Sequence, residues 1–450
     1  MQKSSLQTFS MGLRLGWASL LVACLSARAT TTVQPLYSGT MPLSELATAP
    51  DGKFYGTTRH GGSNDLGTVF SLTTSGVFTT IYAFSGGADG AHPCAALALG
   101  ANGHLYGTAP YGGAQNAGSV FEVTTAGSFT LLHLFAGGSD GAEPTATLAV
   151  GSDGLLYGVA SRGGAFGCGT IFRINAGGIF TNLHDFTGID GDHPAAALTP
   201  LGGALYGTTQ YGGAGNCGTV FKISTNGVYS LLFSFNGLNG AIPRAALARS
   251  SNGVFYGTTA YGGEGGFGSI FRITSAGSFE SLYSFIGENL GSNPSGGLLL
   301  EGNRYVQGST ALGGAHGFGS IFWMTVSGGI DSFYSFNGDE TGANPATALA
   351  QGSDGNLYGT SGSGGTGGGG TFFKLTMPPY FDAIQILSGQ QVRYSGAGGT
   401  PNGQYILLTT TNLMAPITNW VAAGALPFDS TGRFSFTNTT PKTINLMRLP

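Results

Sequence analysis

Three landmarks recur in phase along this chain at a period of about 50 residues, and nothing else in the sequence restricts the fold as much. A Gly-Gly pair begins at Gly61, Gly112, Gly163, Gly212, Gly262, Gly313 and Gly364. A Gly-[Ser/Thr]-x-Phe block begins at Gly67, Gly118, Gly169, Gly218, Gly268, Gly319 and Gly370. A proline stands at Pro42, Pro93, Pro144, Pro194, Pro243, Pro294 and Pro345. Each series steps by 49 to 51 residues, so the chain is a tandem array of seven copies of one structural unit.

One copy contains four runs with strand character: residues 95–99, 105–108, 119–124 and 129–135. They are short, rich in Val, Ile, Phe and Tyr, and bounded by glycine turns. Asn102-Gly103 and Ala126-Gly127 mark tight turns, the first because both residues tolerate φ > 0. Beyond the N-terminal segment no run keeps a 3.6-residue apolar period. Four antiparallel strands per copy is the arithmetic of a propeller blade, and the predicted fold is an all-β, seven-bladed β-propeller over residues 30–378. Helical repeats are excluded by the turns, and β-solenoids usually have a shorter period. Kelch blades share the Gly-Gly pair but carry a tryptophan that these copies lack.

The last copy has three strand-like runs, at 346–350, 357–360 and 371–375, and then stops at Met377-Pro378-Pro379. A lone run at 31–37 precedes the first copy and resembles the fourth strand of the others. The expectation is that it completes the seventh blade, closing the ring and leaving no open sheet edge.

The Leu-Tyr-Gly-Thr-Thr strand (Leu205–Thr209), the Gly-Gly pair, the Gly-Thr-Val-Phe block (Gly218–Phe221) and the Asp-Gly-Ala-x-Pro loop (Asp89–Pro93) occur together. In this set the repeat resembles the GloVer tandem-repeat family of exported bacterial proteins, over residues 31–378. The resemblance implies secretion and often a variable C-terminal anchor. It implies no defined activity, so it assigns a role to no residue.

The ends of the chain carry other signals. Residues 1–29 read as a signal peptide: Lys3 and Arg14 are basic, residues 15–27 are apolar, and Ala27-Arg28-Ala29 has the form of a cleavage site. Leu21-Val22-Ala23-Cys24 also fits a lipoprotein box, in which Cys24 is lipidated. Secretion and anchoring through Cys24 therefore both stay open as localisations. Residues 379–450 leave the repeat and read as a small β-sandwich-like module, with strands near 405–410 and 433–437, a turn at 429–432 and Trp420 in its core. No apolar helix or basic tail ends the sequence, unlike the anchored members of the family. No apolar run beyond residue 30 approaches the ~18–20 residues of a membrane span.

Only 8% of residues are charged and the net charge is -4, which leaves no electrostatic footprint for nucleic acid. Cys94, Cys168 and Cys217 follow the leader, an odd number with no Cys-x-x-Cys pair, so neither a disulfide framework nor structural zinc is expected. Cys168 and Cys217 match in adjacent blades but are expected to lie too far apart to bond, and to pack as small buried residues.

Propeller connectivity puts the turns after the first and third strands on one face. The longer loops after the second and fourth strands share the other, where binding is expected. The residue before each Gly-Gly forms a sevenfold ring on that face: His60, Tyr111, Arg162, Tyr211, Tyr261, Leu312 and Ser363. The first five are candidate ligand-binding residues, able to stack on and hydrogen-bond a sugar or peptide. The alternative is that the tyrosines only pack between blades. Asp89, Asp140 and Asp190 are read as turn residues and not as calcium ligands, because each loop offers one carboxylate. His92 and His193 are two blades apart, which argues against a shared metal. Asp65, Glu143, Asp192, Glu264 and Glu288 are the carboxylates a glycosidase pair would need, and they are scattered over separate blades. The expectation is a non-catalytic, monomeric, cofactor-free protein binding carbohydrate or protein through the loop face, or an envelope structural module. The alternative is a secreted carbohydrate-active hydrolase or lyase.

Overall fold

The computed structural model describes residues 10–15, 18–23, 32–39, 44–301, 305–345, 347–352 and 354–376, and strands over 380–386, 392–397, 404–410, 421–427, 434–438 and 443–448. All described elements are strands. Seven four-stranded antiparallel sheets follow one another along the chain as the blades of a β-propeller. Blade 4 is typical: Thr199–Leu201, Ala204–Thr209, Thr219–Ser224 and Tyr229–Ser234, in that order across the sheet. In the seventh sheet Thr32–Ser38 lies beside Thr371–Thr376 and supplies the fourth strand, so the ring closes as the repeat arithmetic required.

The letters of the repeat are packing instructions. In the ladder of blade 4, Gly207 faces Phe221, the aromatic of the Gly-[Ser/Thr]-x-Phe block. A Cβ on Gly207 would lie 2.5 Å from the Phe221 ring and 2.8 Å from Leu198 Cδ2, so glycine is required in mid-strand to let the ring lie flat across the sheet. Gly218 has φ near 100°, and a Cβ there would lie 2.6 Å from Cδ of Pro243. The block glycine of one blade therefore receives the proline that opens the next. Two of the three recurring landmarks are halves of one inter-blade contact.

Apolar burial also sits between blades. Tyr206, Val220 and Phe235 of blade 4 form one core with Phe255, Phe271 and Ile273 of blade 5. A phenylalanine just after the fourth strand of each of the first six blades packs edge-to-face on the block phenylalanine of the following blade. Phe84–Phe121, Phe135–Phe172, Phe186–Phe221, Phe235–Phe271, Phe285–Phe322 and Phe336–Phe373 all have centroids 5.2 to 5.5 Å apart. Such pairs add about 0.5–1.5 kcal/mol each beyond the area they bury. Tyr82 stacks on Phe129 of the next blade at 4.4 Å, and Tyr37 of the closing strand stacks on Phe78 at 4.3 Å. The closing strand thus makes the contact a fourth strand makes elsewhere.

The innermost strands are shorter than expected: blade 2 pairs only Ala98–Leu99 where a run of 95–99 was anticipated. The reason is competition for carbonyls. Ala95 O accepts from Thr57 Oγ1 of the preceding blade at 2.9 Å, so that stretch is tied sideways and not into its own ladder. Equivalent hydroxyl staples run from Thr108 to Ala146 O, Thr258 to Gly296 O and Ser309 to Thr347 O. Thr360 donates to Ser44 O and carries the series across the seam. The Asn102-Gly103 turn also differs in detail. Only Gly103 takes positive φ, while the Asn102 side chain accepts the N–H of His104.

On the tight-turn face, Tyr55 and Tyr157 donate their hydroxyls to Asp51 and Asp153 at 2.7 and 2.6 Å. Burial, then the adjacent carboxylate, pushes both phenols up to about 12, as it does Tyr82 beside Asp89. The folded value lies above the unfolded one, near 10. This stabilisation is therefore complete below pH ~10 and is lost as pH rises towards the folded value. Tyrosinate absorbance is expected to appear together with loss of the β-sheet circular dichroism signal in alkaline titration. Ionisation ahead of unfolding would contradict it.

Residues 34–350 with 358–374 make one compact unit, and residues 1–33, 351–357 and 375–450 the other. In the second, Ser10–Leu15 pairs with Ala18–Ala23. Tyr380–Ile386, Val392–Ala397 and Phe434–Asn438 form one sheet, and Val421–Pro427, Gln404–Thr410 and Thr443–Arg448 another. Trp420, Cys24 and the turn at 429–432 lie outside the described residues. Among the described residues no helix is long and apolar enough to cross a membrane.

Candidate functional site

The second-to-third-strand loops and the loops leading into the next blade meet residue by residue. Tyr211 and Asp192 exchange both backbone hydrogen bonds, at 2.9 and 3.0 Å. The same bridge joins Tyr111 to Ala91, Arg162 to Ala142, Tyr261 to Ala241, Leu312 to Ser292 and Ser363 to Ala343. Beneath it lies a hydroxyl relay. Thr209 Oγ1 donates to Tyr211 O at 2.8 Å and meets Thr219 Oγ1 at 2.7 Å, and Thr219 Oγ1 reaches Asp190 O at 3.3 Å. Blade 5 repeats it with Thr259, Ser269, Tyr261 O and Asn239 O. The threonines of the repeat are thus spent on holding the loop backbone. The side chains before Gly-Gly are not: His60, Tyr111 and Tyr211 are half-buried, and Arg162, Tyr261 and Leu312 are exposed.

The Asp-Gly loops are turns built around their carboxylates. Asp190 accepts the N–H and hydroxyl of Thr187, both at 2.8 Å, and is 2.9 Å from His184 Nε2. Asp140 accepts the N–H of Ala136 and lies 3.2 Å from His133. Burial holds the His133 imidazole below its usual range despite that carboxylate. Asp89 accepts from Ser85 and Tyr82. Among the described residues no three His, Cys, Asp or Glu side chains group as metal ligands. Cys94, Cys168 and Cys217 are free thiols. Cys168 and Cys217 are half-exposed, and not buried as expected, because each covers a glycine, Gly188 or Gly237, at the loop surface.

One set of positions escaped the sequence reading. His92, Glu143, His193, Ile242, Asn293 and Asn344 each precede the landmark proline, and each has a left-handed backbone, φ 55° to 58°. Their N–H groups donate to Leu66, Ala117, Cys168, Cys217, Phe267 and Phe318 of the preceding blade, which holds them there. Their side chains pair with the ring. His92 packs edge-on to His60 at 5.2 Å and to Tyr111 at 6.2 Å. Glu143 bonds Arg162 at 3.1 Å, His193 packs on Tyr211 at 5.5 Å, and Asn344 accepts from Ser363 at 2.6 Å. The signal was in view, because the position adjoins a recurring proline. Histidine, glutamate and isoleucine do not announce positive φ, however.

Three of the candidate carboxylates are engaged locally. Asp65 accepts the N–H of Gly61 and lies 3.6 Å from His60, and Asp192 is 2.7 Å from its neighbour His193. Glu143 is taken by Arg162, and the backbone N–H of Glu264 is bonded by Ser284 Oγ. Glu288 lies close enough to Tyr283 to raise that phenol, after burial itself.

Among solved structures the chain is similar to the BP39L lectin from Burkholderia pseudomallei, at 12% identity, 80% of this chain, 97% of the lectin and a TM-score of 0.53. It is also similar to a polysaccharide lyase described as an ulvan lyase (11% identity, 76% and 94% covered, TM-score 0.47). A gluconolactonase from Xanthomonas campestris matches at 13% identity, 68% and 93% covered, TM-score 0.41. At such identity the lectin match speaks to the fold alone. No curated protein matches the sequence. The Gloeobacter/Verrucomicrobia repeat model matches residues 25–219 and 200–414, and the chain belongs to that repeat family.

Proposed function

We propose that this protein is an exported, non-catalytic propeller that holds a carbohydrate chain across its loop face. The observation that carries the reading is the division of labour among the repeat residues. The recurring Gly, Thr, Phe and Pro side chains are consumed in the scaffold. His60, Tyr111, Arg162, Tyr211 and Tyr261 stay at the loop surface, the last four on backbone bridged to the neighbouring loop. Aromatic faces beside planar polar groups suit the C–H faces and vicinal hydroxyls of sugars. Sameness across blades favours binding over catalysis, since the candidate acids lie on separate blades.

In affinity electrophoresis against a panel of polysaccharides, the full chain is expected to be retarded without releasing reducing ends or unsaturated products. Replacing Tyr111, Tyr211 and Tyr261 together with alanine is expected to weaken retardation by about tenfold or more, with circular dichroism unchanged. Product release would move the reading to a hydrolase or lyase, and unchanged retardation would remove the ring from it. Export is supported by the leader-like first 29 residues. Mass spectrometry of the mature N-terminus distinguishes a chain starting at Thr30 from one lipidated at Cys24.

A further inference from the structure

The left-handed residues before the prolines are the starting point. An L-residue in this region costs about 1–2 kcal/mol that glycine would avoid, yet none of the six is glycine. Strain retained at equivalent positions, with side chains that differ from blade to blade, marks positions kept for what the side chain meets. Each stands six residues before the first strand of its blade, in the loop-face connection, so together they form a rim on that face, the mouth of the ring. The chemistry of this rim is uneven.

Its ion pairs among the described residues are His60–Asp65, Arg162–Glu143 and His193–Asp192. Two exposed rim arginines belong to none of them. Arg59 adjoins His60, and its carbonyl lies 2.9 Å from His92 Nδ1. A carbonyl only accepts, so Nδ1 carries the proton and Nε2 is left as an acceptor for a sugar hydroxyl. Arg244 follows Pro243 and lies 5.8 Å over the ring of Tyr261, which orients the guanidinium. In a chain with only 17 lysines and arginines, two guanidinium groups of the mouth make no ion pair among the described residues, and one of them lies over an aromatic ring.

We propose that the ligand is an anionic polysaccharide whose carboxylate or sulfate groups are taken by Arg59 at one side of the mouth and by Arg244 at the other. The proposal rests on the loop-face reading above and names its substrate class. Guanidinium forks match oxyanions bidentately, and the neighbouring rings take the sugar faces. The groups facing His92 are Arg59, His60, Asp65 and Tyr111. Asp65 is held below the usual carboxylate range, first by the Gly61 N–H, so it stays anionic.

The test is affinity electrophoresis of the full chain against polygalacturonate, dextran sulfate, neutral dextran and single-stranded DNA. Retardation by one or both acidic glycans is expected, and the two polymers separate carboxylate from sulfate recognition. The R59Q/R244Q variant, altered only at exposed side chains, is expected to lose about tenfold or more of that retardation. Equal retardation by dextran, equal retardation by DNA, or an unaffected R59Q/R244Q overturns the proposal. Retardation by neutral dextran that the tyrosine variant abolishes would overturn anion selection and leave loop-face binding standing. Retardation by no polymer overturns both.

Discussion

A chain beginning at Gly39, without the strand Thr32–Ser38, is expected to form oligomers or precipitate instead of folding as a monomer. The seventh blade would keep three strands, and the edge of Thr371–Thr376 would lie open. An open, apolar edge is a template for pairing with another chain. The loss is also one of packing. Leu36 and Tyr37 cover the cluster of Phe54, Phe70, Leu72, Tyr358 and Phe372, where blades 1 and 7 meet. The net stability of a domain is only about 5–15 kcal/mol, and loss of a full ladder with two large apolar side chains is of that order. Light scattering coupled to size exclusion gives the outcome directly. Adding a peptide spanning residues 31–38 is expected to restore the monomer by re-supplying the strand. A soluble monomer with an unchanged melting temperature would show that the ring does not depend on this closure.

The Phe221→Ala substitution is expected to cost about 3–5 kcal/mol, among the largest single-residue effects in the molecule. Phe221 is fully buried, lies across Gly207, and meets Phe186 of the preceding blade at 5.4 Å and Tyr229 at 5.6 Å. Truncation empties a space walled by two blades, which backbone relaxation cannot refill. Gly207→Ala attacks the same contact from the other strand, since the new methyl would occupy the ring's place. About 1–3 kcal/mol is expected from such overpacking. Val228→Ala, on an exposed turn residue, is the control, with a change within about 0.5 kcal/mol. Urea unfolding followed by circular dichroism measures all three. A Phe221→Ala midpoint indistinguishable from the control would mean that the inter-blade rings are not what holds the blades together.

The blade count, the strand order and the closing strand could be read before any coordinates, because glycine, proline and alternating apolar residues act locally. Gly207 must be small and Pro243 must be kinked in any copy, so their periodicity survives as a pattern. The same reasoning placed His60, Tyr111, Arg162, Tyr211 and Tyr261 on one face, since connectivity alone sorts the loops. It misjudged the inner strands, where Thr57 of one blade takes the carbonyl of Ala95 in the next across 38 residues of sequence. It also weighed His92 only as a metal ligand. By sequence that histidine was compared with His193, its equivalent in another blade, whereas its neighbours in space are His60 and Tyr111.

The amino-acid sequence by itself determined the architecture of this protein: seven copies, four strands each, and a ring sealed by its own first strand. Those features depend on turn geometry and on side-chain volume within a few residues, which a repeat displays openly. Only the tertiary structure decided what the mouth of the ring presents. The left-handed backbone at His92, Glu143, His193, Ile242, Asn293 and Asn344 is imposed by hydrogen bonds from the neighbouring blade, and no residue preference encodes it. The isolation of Arg59 and Arg244 from carboxylates is likewise a matter of distance between blades, which only closure of the ring sets.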